Sequence, residues 1–147
     1  MKNKKKGFTL VELIVVLAIL AILAAMLVPA LTGYIDKANE KKVMATARQY
    51  YIAAQTVVSD AYSKNDKIAT IVVAANGNGQ ATVTMTSSAS TDPAGSLADE
   101  FEKLAEIKSG DAVNFTVDSN TQKVTGSVTT ANRTAEIDAN GNWSVHS

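Results

Sequence analysis

The 147-residue chain contains no cysteine, one histidine and two prolines, and aromatic residues make up only 5% of it. The absence of cysteine excludes disulfide bonds, zinc sites built on thiolates and a thiol nucleophile. His146 is next to last in the chain and has no second histidine with which to bind a metal. The sequence also lacks a glycine-rich phosphate loop and a nucleophile triad. These absences predict a protein that is not an enzyme and that needs no cofactor.

Charge is balanced over the whole chain but unevenly distributed along it. There are 14 basic and 14 acidic residues, and four of the lysines fall within the first six positions. Without that leader 10 basic and 14 acidic groups remain, a net charge of 10 − 14 = −4. A mildly acidic body has no general attraction for nucleic acid, which disfavours DNA binding as the function.

A long apolar segment follows the lysines. The 19 residues from Leu13 to Leu31 include no polar side chain, which is close to the ~20 residues that span a bilayer. The lysines are expected to stay on the cytoplasmic side, so the rest of the chain should lie outside. A cleaved secretory signal and a simple signal anchor both fit this pattern. The residues from 24 to 30 offer only a poor cleavage site for a secretory signal. A simple signal anchor leaves Glu12 unexplained, because a charge at the bilayer centre costs about 2.5–3.5 kcal/mol.

The stretch KKKGFTLVEL, residues 4–13, resembles the processing site of type IV prepilins and related proteins. The resemblance implies that a membrane peptidase cuts between Gly7 and Phe8 and methylates the new amine of Phe8. The apolar run is then kept in the mature protein rather than discarded. The part removed would be a basic leader, residues 1–7, whose lysines before the cut include Lys4, Lys5 and Lys6.

Glu12 is interpreted as an assembly residue within this segment. After cleavage Phe8 carries a positive amine, and both this amine and the Glu12 carboxylate would be stranded in a bundle of apolar helices unless they are paired. We expect the amine of one copy to pair with Glu12 of its neighbour. Such a pair relieves both penalties and sets the axial register between helices that could otherwise slide.

Apolar periodicity continues beyond the membrane segment and predicts one helix from Phe8 to Lys64. Pro29 lies in its interior and predicts a kink, because proline removes a hydrogen bond and clashes with the preceding turn. Many pilins that this chain resembles have a glycine near the position of Ala21, so melting between Ala21 and Pro29 is expected to be harder here. The stripe that should face the rest of the chain consists of Val43, Met44, Ala47, Tyr50, Tyr51, Ala54, Val57, Val58, Ala61 and Tyr62.

The second half of the sequence predicts a sheet with one short helix. Ser96 should cap that helix, Gly110 should close it, and its apolar stripe should be Leu97, Phe101, Leu104 and Ala105. A loop is expected at 87–96 and a hairpin turn at NGNG. The strand candidates are Ile68–Ala75, Gln80–Thr86, Ala112–Asp118, Gln122–Thr130, Arg133–Asp138 and Asn142–His146.

The predicted fold class is therefore α+β. It combines a long N-terminal helical spine with an antiparallel β-sheet head that covers the second half of the helix. The expected organisation is a leader at 1–7, a transmembrane or filament-core helix at 8–31 and a globular head at 32–147.

The head offers little chemistry of its own. DANGN, residues 138–142, resembles half of a calcium loop but lacks the later glutamate. Because pseudopilins of type II secretion often hold calcium near the C-terminus, a calcium site stays open as an alternative. The sequons at Asn114, Asn132 and Asn142 carry little weight without a known glycosylation system.

Three functions fit the resemblance. The first is the main subunit of a type IV pilus, a class of filament associated with adhesion and motility. The second is a pseudopilin of type II secretion, and the third is a competence pilin that captures DNA. The implied partners are other copies of the chain, the prepilin peptidase, the membrane and the inner-membrane assembly platform. The implied location is a single-pass membrane precursor, N-terminus inside, followed by a surface filament.

Overall fold

The computed structural model describes residues 7–75, 81–87, 94–130 and 133–146. The chain divides into two compact units, Met1–Asn39 and Glu40–Ser147. Helix α1 (Leu10–Ser63) contributes residues to both units. The basic leader and the predicted NGNG turn lie outside the described residues, as does the middle of the loop predicted at 87–96.

Helix α1 agrees with the predicted helix to within two residues at each end. Its C-terminus is closed by Asn65, which adopts a left-handed conformation with φ 63°. The Asp66 amide donates to the Ala61 carbonyl at 2.9 Å, and the Asn65 amide donates to the Tyr62 carbonyl at 3.0 Å. This pair of bonds is the Schellman motif. Its left-handed residue is most often Gly and sometimes Asn, as it is here.

The second unit contains one six-stranded antiparallel sheet and a short helix, α2 (Ala94–Ala105). The strand order is β2-β1-β3-β4-β5-β6. All six strands lie where the sequence predicts them, with small changes at their ends. Their bounds are β1 Ile68–Ala75, β2 Ala81–Ser87, β3 Ala112–Val117, β4 Val124–Thr130, β5 Arg133–Ile137 and β6 Trp143–His146.

Alternation along the strands decides which face of the sheet is covered. In β3, Val113, Phe115 and Val117 are buried while the residues between them are exposed. These side chains share one apolar core with the buried face of α1 and with α2. Tyr51 of α1 joins the core through edge-on ring contacts with Phe115 and Trp143, at centroid distances of 6.4 and 5.7 Å. The predicted packing of the helix on the sheet is therefore confirmed.

Some predicted core positions and helix ends are wrong. Tyr62 is 50% exposed and Leu104 is 44% exposed, because neighbouring alanines, Ala61 and Ala105, take the buried position in those turns. Helix α2 begins at Ala94, so Ser96 lies within its first turn instead of capping it. The same helix ends well before Gly110, at Ala105, and the next residue, Glu106, has a left-handed φ of 51°.

Gly126 in β4 is the glycine that the sheet requires. Its φ is +140°, and a Cβ built there would lie 2.0 Å from the carbonyl oxygen of Asn114. Because that neighbour is backbone of the adjacent strand, it cannot move aside without disturbing the β3–β4 pairing. The close approach of these two strands therefore depends on the missing side chain.

Candidate functional site

Helix α1 begins with a reciprocal cap between Thr9 and Glu12. The Glu12 amide donates to Thr9 Oγ1 at 3.2 Å, and the Thr9 amide donates to Glu12 Oε2 at 3.0 Å. The Thr9 hydroxyl also donates to Glu12 Oε2, at 2.9 Å. This arrangement is a capping box, which satisfies amide groups that the first turn of a helix leaves without partners.

The capping box gives Glu12 a local role that the sequence reasoning missed. The signal was available, because Thr9 and Glu12 form a T-x-x-E pattern directly before an apolar run. The carboxylate is therefore compensated by Thr9 within its own chain. The Glu12 carboxylate accepts both hydrogen bonds through the same oxygen, Oε2.

Gly7 and Phe8 precede the helix and are both exposed. The Phe8 side chain is 84% exposed. A Cβ added at Gly7 would meet no atom within 4 Å, so the described part of the chain does not itself require glycine there.

The N-terminal part of α1 presents apolar side chains with nothing to cover them. Its leucine, isoleucine and valine side chains between Leu10 and Leu31 are each about half exposed or more. The helix is long and apolar enough to cross a membrane, and its most apolar stretch has a mean hydropathy of 3.0. Such a surface needs lipid or other apolar helices around it.

Pro29 lies inside α1, and the residues from Ala21 to Pro29 are helical. Proline has no amide hydrogen, so the Ala25 carbonyl one turn earlier loses its usual helical partner. The Thr32 hydroxyl donates to the Pro29 carbonyl at 2.9 Å. The predicted kink at Pro29 and the expected resistance of the segment between Ala21 and Pro29 to melting both stay predictions.

The DANGN segment forms a tight turn organised by Asp138. Asp138 Oδ1 accepts from the amides of Asn140 and Asn142 at 2.8 Å, and Oδ2 accepts from Asn142 Nδ2 at 3.1 Å. These bonds, led by the Asn142 amide, hold the pKa of Asp138 below its usual value. Both oxygens already accept from N–H groups, so this carboxylate stabilises the turn and does not point into an empty oxygen cage.

The only histidine lies on the outer face of the sheet, beside a serine and a glutamate. His146 Nε2 is 3.1 Å from Ser144 Oγ and 3.8 Å from Glu136 Oε2. In a catalytic relay the serine and the carboxylate must contact different ring nitrogens, whereas here both approach the same one. Within the described residues no three His, Asp or Glu side chains are grouped closely enough to hold a metal.

A buried polar contact that the sequence did not indicate joins α1 to the segment after α2. The Tyr50 hydroxyl donates to Asp111 Oδ2 and accepts from the Lys108 amide at 3.3 Å. Both side chains are buried. Asp111 is 61 residues away from Tyr50 along the chain, so only the packed structure identifies its partner.

Comparison with known proteins places the similarity first at the N-terminus. The family model of the prokaryotic N-terminal methylation motif matches residues 2–28. The type IV major fimbrial protein FimA of Dichelobacter nodosus is 43% identical over 60 residues, 41% of this chain and 38% of the relative. The type II secretion system core protein G of Klebsiella michiganensis is 46% identical over 44 residues, 30% of this chain and 31% of the relative.

One relative matches along almost the whole chain. The prepilin peptidase-dependent protein A of Clostridium perfringens is 32% identical over 128 residues, 86% of this chain and 87% of the relative. By contrast, the chain spans about two fifths of the length of the FimA proteins that it matches. No solved structure matches.

Proposed function

Because this chain belongs to the family of type IV pilin-like proteins, we propose that it is the main subunit of a type IV pilus. Like its relatives, it is a structural subunit and not an enzyme. The observation that carries the proposal is the capped, uncovered apolar start of α1 in a chain whose second unit folds around its own core. A subunit built this way can assemble into a filament through contacts between the apolar helices of different copies.

Processing comes first in this proposal. A prepilin peptidase cuts between Gly7 and Phe8, removes the leader at 1–7 and methylates the new amine. The exposed, non-helical run up to Thr9 gives a peptidase access to the bond. Space around Gly7 within the chain supports the view that the peptidase is what demands a glycine.

The mature chain then waits in the cytoplasmic membrane with its N-terminus inside. Residues 8–31 form the spanning helix and residues 32–147 the head outside. An assembly platform in the inner membrane moves each subunit into the filament, where apolar helices of other copies replace lipid around α1. The relatives named as fimbrial proteins support this self-assembly.

Glu12 sets the register of the incoming subunit through the Phe8 amine of a neighbouring copy. Thr9 compensates the carboxylate while the subunit is in the membrane. Oε1 takes no part in the hydrogen bonds that the described residues make to Glu12, which leaves one oxygen for the amine. A buried amine without a partner is costly, so a subunit that arrives out of register is disfavoured.

The test compares filament assembly by Glu12→Val and Glu12→Gln with wild type. Membrane insertion and cleavage should survive both changes, because neither alters Gly7 or makes the segment less apolar. The amount of subunit in sheared filaments, relative to that in membranes, should fall strongly in both variants. Glu136→Gln removes a charge from the exposed outer face of the sheet and serves as the matched control. Filaments of Glu12→Val at wild-type yield would contradict the charge-pair mechanism.

A pseudopilin of type II secretion is the second candidate, favoured by the similarity to core protein G. That similarity covers 30% of this chain, and the turn at Asp138 has its oxygens engaged by N–H groups. A long surface filament, seen by electron microscopy and built of this chain, would favour the pilus. A competence pilin that captures DNA is a third possibility, but the head's acidic balance gives it no support.

A further inference from the structure

An apolar groove lies on the side of α1 that the sheet does not cover, next to the last turn of α2. Its volume is about 440 Å³. Ile52 is 64% exposed and Leu104 is 44% exposed, although both are large apolar side chains. We call this the α1–α2 groove, and it is lined by Ala45, Arg48, Gln49, Ile52, Ala53, Thr56 and Leu104.

The rim of the groove is basic. Arg48 lines it, and Lys41 and Lys42 precede it on α1 with no acidic residue between Lys41 and Arg48. None of the hydrogen bonds or ion pairs of the described residues engages these three side chains. Gln49 is held in place, since its Nε2 donates to the Ala105 carbonyl at 3.1 Å. The groove thus combines an apolar floor with the positive charge of Arg48.

The outer face of α2 carries the opposite charge. Asp99 and Glu102 are three residues apart on one side of α2, and Glu106 comes directly after the last residue of the helix; all three are exposed. These acids line one hollow together with Lys103 and the half-buried Ile107. Three acids and one base give this acidic ridge a net charge of 1 − 3 = −2.

The two surfaces cannot satisfy each other within one chain. Leu104 belongs to the groove while Asp99 and Glu102 belong to the ridge, and all three are on the same short helix. Buried Leu97, Phe101 and Ala105 hold that helix against the core. A rigid helix cannot fold its own outer face into a groove that it helps to form.

We infer that the α1–α2 groove of one copy binds the acidic ridge on α2 of the next copy. The inference rests on the proposed filament function and adds a contact between heads to it. Arginine beside an apolar floor, facing carboxylates around Ile107, has the composition of an interface centre with a charged rim. Because groove and ridge are different patches, each copy can use both, and such contacts propagate into an open chain of subunits.

Cross-linking tests the contact directly, since the chain has no native cysteine. Full-length Ala45→Cys, in the groove, is expressed together with full-length Lys103→Cys, in the ridge. Oxidation of sheared filaments should give a disulfide-linked dimer that contains one copy of each. Thr116→Cys, on the exposed outer face of β3, replaces the ridge variant in the control and should give no dimer with Ala45→Cys.

Charge reversal tests whether attraction between the groove and the ridge contributes to filament assembly. Arg48→Glu and Glu102→Arg should each lower filament yield by roughly tenfold, because like charges then face each other. The two changes combined in one chain should restore most of the yield, and Glu136→Arg on the sheet should leave it unchanged. Normal yield in both single variants, with no mixed dimer, would overturn this inference while the pilus function stands. A wild-type chain that forms no filament would overturn both.

Discussion

Replacing Tyr50 by phenylalanine would remove one buried hydroxyl and leave the ring in place. The Tyr50 side chain is 1% exposed, and its hydroxyl bridges Asp111 Oδ2 and the Lys108 amide. Asp111 is itself only 4% exposed, so water does not readily replace the lost donor. The variant therefore leaves a buried carboxylate oxygen and a backbone amide without the partner that joined them.

The cost follows from the charge and burial of this contact. Removing one partner of a buried hydrogen bond to a charged group costs about 2–4 kcal/mol. For a unit of about 100 residues each kcal/mol lowers the Tm by about 4 °C, so we expect a fall of roughly 8–16 °C. This is a large part of the total stability of such a domain, which is about 5–15 kcal/mol.

The assay is thermal unfolding of the fragment 32–147 by circular dichroism at neutral pH. Tyr51→Phe is the matched control, because the neighbouring hydroxyl only accepts a 3.2 Å bond from Gln55 and the residue is half-buried. That variant should lose about 1 kcal/mol or less. A Tyr50→Phe variant that melts no lower than Tyr51→Phe would refute the reasoning.

Alkaline pH gives the same contact a second readout. Burial raises the pKa of Tyr50, and the bond to Asp111 raises it further. Because the folded pKa is above the unfolded one, the stability from this group is fully present below about pH 10 and falls as the pH rises above it. Wild type should therefore lose more Tm than Tyr50→Phe between about pH 9 and about pH 11.

Other measurements test the processing, the turn and the sheet. Gly7→Val should leave an uncut precursor in the membrane, whereas the wild-type subunit should have the mass of the chain after the cut plus one methyl group; a mature protein that begins after residue 25 would contradict this. The fragment 32–147 should be soluble, monomeric and cooperatively folded, and millimolar calcium should barely change its Tm; a rise of several degrees would favour the pseudopilin. Gly126→Ala should cost about 2 kcal/mol or more, because its Cβ would meet the Asn114 carbonyl. Gly141→Ala, with φ +85° but open space around it, should cost only about 1 kcal/mol; equal losses would mean that the clash is relieved by a small shift.

Much of the fold follows from patterns that are local in the chain. Alternation of apolar residues marks β3 as a half-buried strand, and spacings of three and four mark the buried face of α1. These patterns can be read from the sequence because side-chain direction repeats every two residues in a strand and every 3.6 residues in a helix, whatever the surroundings. Errors arose where two apolar residues competed for one position, as at Leu104 and Ala105, since only the depth of the core decides which is buried.

In the candidate site, too, features that depend on adjacent residues could be predicted, and features that depend on tertiary packing could not. Cleavage between Gly7 and Phe8 was predicted from a contiguous motif, and the cap between Thr9 and Glu12 could have been, because both depend on residues adjacent in sequence. The part of the acidic ridge that lies on α2, Asp99 and Glu102, is also visible as helical spacing in the sequence. Its apposition to a groove that includes Ile52 could not be predicted, because α1 and α2 are brought together by the core.

The sequence by itself determined the processing motif, the apolar helix, and the number of strands with their positions along the chain, since each depends on neighbours within a few positions. Only the tertiary structure decided that Tyr50 would meet Asp111, that Gly126 would face the Asn114 carbonyl, and that α2 would lie beside the uncovered side of α1. These pairs are separated by many residues along the chain. Their contacts exist because burial of one shared apolar core fixes where each element lies, and no local pattern encodes that position.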